Sequence, residues 1–107
     1  MLVPPAAKNK KYKRQGEWFA VPIAKKFVPK IAECVATCNG ELILPRESAD
    51  SNAHVVGSGD IRIGKDGLIY AYAPDIDHDE HMRIICLKWV VFHINTAVRS
   101  FSQDGVD

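Results

Sequence analysis

The chain reads as one α+β domain, a small and mostly antiparallel sheet of about five strands covered by one helix. Three observations predict it. Residues 82–95 form the most hydrophobic run, rich in isoleucine and valine, which favours strand over helix. Ile31, Cys34, Val35 and Cys38 fall at i, i+3, i+4 and i+7, the spacing of one helix face. Asp60-Ile61-Arg62-Ile63 and Leu68-Ile69-Tyr70-Ala71-Tyr72 flank Gly64-Lys65-Asp66-Gly67, a hairpin signal that puts Asp66-Gly67 at the positive-φ positions.

The totals agree with one domain. The chain has 107 residues, 47% hydrophobic and 25% charged, a size and balance that suit a single core and argue against disorder. No apolar run reaches the roughly 18–20 residues of a membrane span. Met1-Leu2-Val3-Pro4-Pro5-Ala6-Ala7 is too short for a signal-peptide apolar region. A soluble cytoplasmic protein is expected, in the host cell if the gene is carried by a phage. Cys34, Cys38 and Cys86 are an odd set without Cys-x-x-Cys spacing and read as buried thiols.

Net charge is +1, unevenly spread. Lys8, Lys10, Lys11, Lys13 and Arg14 carry five positive charges with no acid among them, which leaves the rest of the chain at −4. Residues 1–14 hold two prolines and no hydrophobic period, so they are expected as a flexible basic arm before a domain at 15–107. The arm is either a solubilising tail or a contact for nucleic-acid phosphates.

From residue 16 the elements follow in order. Gly16-Glu17-Trp18-Phe19-Ala20-Val21-Pro22 is a short strand stopped by Pro22, with Trp18, Ala20 and Pro22 on one face, Glu17, Phe19 and Val21 on the other, and Glu17 left in solvent. The helix is expected within 25–40, with Pro29 in its first turn and Asn39-Gly40 as its stop. Glu41-Leu42-Ile43-Leu44 is a strand closed by Pro45, and His54-Val55-Val56 a second, short one before a flexible Gly57-Ser58-Gly59. Asp75 to Glu80 holds four carboxylates in six residues, yet lacks the glycine and glutamate of a calcium loop. In the run that follows, Ile84, Cys86, Val90, Phe92 and Ile94 line one face and Ile85, Leu87, Trp89 and Val91 the other. Fourteen residues is long for one strand, so a bend is expected near Lys88.

Two blocks carry a resemblance. Arg14-Gln15-Gly16-Glu17-Trp18-Phe19, then Val21-Pro22, is similar to an Arg-Gln-Gly-Glu-Trp-Phe-Phe-x-Pro opening. His78 and His81, Ile84, Trp89 and Asn95-Thr96 match a later His-x-x-His block at the same spacing. Both blocks resemble a family of uncharacterised proteins from bacteriophages and other prokaryotic genomes. The match covers about a third of the chain. It departs at Asp79-Glu80, Val90 and Ala73-Pro74, where the family has Pro-Asp, His and Arg-Gly. The resemblance implies a phage or mobile-element origin and singles out His78, His81 and, ahead of them, His54. It implies no mechanism.

Two function classes follow. The first is a small interaction protein that binds and modulates a host protein or nucleoprotein complex, a defence-system inhibitor being one example. The second is a metal-dependent hydrolase or nuclease. There His54, His78 and His81 would hold zinc or iron, with Glu17, Asp75, Asp77 or Asp79 behind them as hydrogen-bond acceptor or general base. No serine or cysteine nucleophile carries a recognisable signature, so no catalytic residue is assigned.

Overall fold

The computed structural model describes residues 12–45, 53–78 and 81–94, with the backbone alone for His81. Among these the chain is almost wholly β: β1 (Lys13–Gln15), β2 (Trp18–Pro22), β3 (Cys34–Ile43), β4 (Val55–Gly64), β5 (Ile69–Tyr72), β6 (Asp75–His78), β7 (His81–Ile85) and β8 (Trp89–Ile94). They form one antiparallel sheet in the order β1-β2-β8-β5-β4-β6-β7, with β3 on the remaining edge of β4. The expected five-strand sheet under a helix is therefore incorrect. The sheet curls into a nearly closed barrel. No described helix is long and apolar enough to cross a membrane.

The helix over 25–40 is the main error. The segment holds two single 3-10 turns, Lys25–Phe27 and Ile31–Glu33, and then β3. Cys34, Cys38 and Leu42 are the half-buried positions of β3, four apart where a regular strand would give two. Register shifts between Cys34 and Ala36 and between Cys38 and Gly40 break the alternation and give an apolar spacing that imitates a helix. Asn39-Gly40, read as a helix stop, lies at the second shift.

The barrel closes through a bent strand. β5 and β6 both pair with β4, Ile61 opposite Ala71 and Val56 opposite Ile76. Ala73, at φ 46°, with Pro74 makes the corner between them. β8 then pairs with β5 and β7 with β6, so the long apolar run splits at Cys86-Leu87-Lys88. β4 runs unbroken through Gly57-Ser58-Gly59, where a flexible link was expected. The Ser58 hydroxyl donates to the Tyr72 carbonyl at 2.6 Å.

Between β1 and β7 the ring is closed by side chains. Lys13 Nζ donates to the Ile85 carbonyl at 2.7 Å and Gln15 Nε2 to the Met82 carbonyl at 2.9 Å. Lys13 and Arg14 thus belong to the sheet and not to a flexible arm. Lys8, Lys10 and Lys11 lie outside the described residues.

Strand alternation sorts the apolar residues into two cores. Inside the barrel are Trp18, Ala20, Val56, Ile61, Ile69, Ala71, Ile76, Cys86, Val90 and Phe92. On its outer surface Phe19, Val21, Tyr70, Trp89 and Val91 pack beneath Val28 of the 23–33 segment. Arg62 helps to hold that cover. Its guanidinium donates to Asp60 and to the Pro29 carbonyl, and lies 4.9 Å from the centre of the Trp89 ring.

The β4–β5 turn differs in one detail from its sequence signal. Only Gly67 takes a positive φ, 81°. Asp66 instead accepts from the Leu68 amide and the Tyr70 hydroxyl, at 2.9 and 2.7 Å. Burial first, and the Asp66 bond second, push the Tyr70 phenol up to about 12. A raised folded value means that this contribution to stability is complete below the unfolded pKa, about 10, and is lost as pH rises through the folded one. Absorbance of the phenolates at increasing pH should show a late step for Tyr70, above the ordinary phenol pKa of about 10, that is absent in Tyr70→Phe. A titration curve whose late step survives in Tyr70→Phe, or that shows none, would contradict the packing described.

Candidate functional site

The candidate histidine site begins with a turn. Gln15 pairs with Trp18 across a two-residue connection, Gly16-Glu17. Gly16 takes φ 60°, the first central position of a II′ hairpin turn, where glycine has no steric penalty. This sets Gln15 facing into the barrel beside Trp18 and puts Glu17 at the barrel's end. His54 enters just ahead of β4, its carbonyl accepting from the Leu44 amide at 3.0 Å. Val55 pairs with Asp77, so His54 and His78 are the next positions along the β4–β6 ladder. Their rings stack with centroids 4.1 Å apart and planes at 29°.

His54 is the buried centre of this cluster, 1% exposed. Nδ1 lies 2.8 Å from Gln15 Oε1 and Nε2 lies 3.1 Å from Glu17 Oε1. The Gln15 amide can take only one orientation, because its Nε2 donates to both the Ile76 and Met82 carbonyls, at 3.0 and 2.9 Å. Oε1 is therefore an acceptor, and His54 Nδ1 carries a proton. The contact with Glu17 then requires one more proton, either on Nε2 of an imidazolium facing a carboxylate or on the carboxyl itself. One glutamine and one histidine thereby tie β1, β4, β6 and β7 together. A buried polar network with its members satisfied rigidifies a core.

The other predicted residues are placed differently. Asp75 and Asp77 alternate away from Ile76 and His78, and both pair with Arg83 of β7 on the outer surface. Asp79 and the His81 side chain lie outside the described residues, although the His81 backbone stands opposite His78. Glu17, expected in solvent, keeps 16% side-chain exposure and faces His54. Lys13 and Arg14 are occupied at the barrel seam, Arg14 donating to the Gly16 carbonyl at 2.7 Å and packing over the Phe19 ring.

A ligating imidazole presents a bare nitrogen, whereas both nitrogens of His54 face protein oxygens. A metal there would have to displace Gln15 or Glu17. Among the described residues no group of three or more His, Cys, Asp or Glu side chains is arranged to hold a metal ion.

Sequence reasoning missed Gln15, although it stands inside the Gln-Gly-Glu block that carried the resemblance. A glutamine directly before a tight Gly-Glu turn faces inward on strand alternation, and that was the available signal. It also assigned Leu87 and Ile85 to a buried face. They are 81% and 53% exposed, and Met82 is 87% exposed. No protein-family model, curated protein or solved structure matches the chain.

Proposed function

We propose that the protein is a small interaction protein of phage or mobile-element type that binds and modulates a host protein or nucleoprotein complex in the host cytoplasm. Inhibition of a defence system is one form such modulation takes. The observation that carries this reading is the exposure of Leu87, 81%, at the lip of an apolar pocket in the turn after β7, with exposed Ile85 two residues before it. Large apolar side chains so exposed add nothing to the barrel's own stability, and an apolar surface of this kind marks a contact with another macromolecule. The His54 cluster supports the same reading from the other direction, since its hydrogen bonds are used in closing the fold.

A photo-crosslinking residue placed at position 87 in host cells should give discrete adducts with a defined protein, while the same residue at exposed Lys65 should not. Leu87→Glu should remove the modulation while leaving the melting temperature within a few degrees. Identical adducts at both positions, or none at either, would count against the reading. The metal-dependent hydrolase or nuclease would be favoured instead by stoichiometric zinc or iron in the purified protein that is lost in His78→Ala.

A further inference from the structure

Beside Leu87, at the end of the barrel where β1, β2 and the β7–β8 turn meet, lies an apolar pocket of about 300 Å³. Ala20, Val90 and Cys86 form its buried floor, exposed Leu87 stands at its lip, and Lys13 and Lys88 border it. The interior core thus opens to solvent at this point. Burial pushes the Cys86 thiol up, which keeps it neutral, so among the described lining residues none opposes the two ammonium charges. Asp75, the neighbouring carboxylate on β6, is engaged by Arg83. Lys13 uses one donor on the Ile85 carbonyl and retains two.

We infer that this pocket takes an apolar anchor side chain from an acidic segment of a partner protein. The inference rests on the interaction reading and adds the partner's chemistry. A volume of this size suits one or two large side chains. Two lysines at the border, with no opposing carboxylate among the described lining residues, select negative charge flanking the anchor. Exposed Leu87 and Ile85 extend the apolar surface beyond what a small ligand would cover, which favours a polypeptide. The larger groove on the seam, about 440 Å³ and lined by Arg14 and Arg83, is a weaker candidate because Arg83 is already paired with Asp75 and Asp77.

The test is a titration of the full chain, followed in amide ¹⁵N–¹H spectra, with three capped peptides up to about 1 mM. They are Ac-Glu-Asp-Leu-Trp-Glu-Asp-NH2, the same peptide with lysine for every acid, and the same with glycine for Leu-Trp. The first should shift Ala20, Leu87, Lys88 and Val90 and saturate, and the other two should not. Lys88→Glu should weaken binding by about tenfold, and Lys88→Met by less. The inference is overturned if the first peptide causes no shift, if the lysine peptide binds equally, or if the Lys88 variants bind as before. Displacement of the peptide from the same residues by a short oligothymidylate would also overturn it, since the surface would then be a general polyanion site. Crosslinking at position 87 without peptide binding would remove this ligand chemistry and leave the interaction reading standing.

Discussion

Trp89→Ala should lower stability by roughly 3–5 kcal/mol, the usual loss for emptying a large aromatic site in a core. That is a substantial part of the approximately 5–15 kcal/mol that holds a small domain folded. Trp89 is the largest side chain of the outer core, packed with Phe19, Val21, Tyr70 and Val91, and it touches Arg62 and Tyr72 at the surface. The variant would lose the contact through which Arg62 bridges the outer sheet face and the Pro29 cover. Thermal unfolding followed by circular dichroism should show a Tm drop on the order of 20 °C. A near-native Tm would mean that the 23–33 segment does not cover this face in solution.

Much of the strand layout could be read from residue order, and the reasons are local. Pro22 ends β2, and the alternation of Trp18, Phe19, Ala20 and Val21 assigns each residue to the core it occupies. The face of Ile84, Cys86, Val90, Phe92 and Ile94 likewise lies together in the barrel interior. The opposite face was only half correct. Trp89 and Val91 are buried, but the break at Cys86-Leu87-Lys88 turns Ile85 and Leu87 out to solvent. Such a break depends on Pro74 and Ala73, whose backbone bonds to Cys86 and Lys88 lie beyond any local window. The helix failed for a related reason, since two register shifts in β3 stretch the strand period towards four. In the candidate site, the approach of His54 to His78 follows from β4–β6 pairing, and Gln15 reaches them only because the barrel curls. Those are properties of closure, which no local pattern encodes.

Gln15→Leu should be the second large loss, roughly 3–5 kcal/mol after partial relaxation. The change strips partners from the Ile76 and Met82 carbonyls and from His54 Nδ1, and each buried group left unpaired costs about 1–3 kcal/mol. Glu17→Gln should cost much less, because the side chain keeps some solvent access and an amide can still bond Nε2. Denaturant unfolding of the two variants should rank them in that order. Equal, small losses would mean that the cluster is not what ties the barrel seam.

The most direct measurement concerns the proton on His54. A long-range ¹⁵N–¹H spectrum of the imidazoles separates protonated from bare ring nitrogens. The hydrogen bonds described here require His54 Nδ1 to carry a proton that exchanges slowly with water, and Gln15→Leu to speed that exchange. The pattern should be unchanged when zinc is added. A bare Nδ1, or a His54 resonance that moves stoichiometrically with zinc, would contradict the structural role of this histidine and favour the three-histidine metal centre.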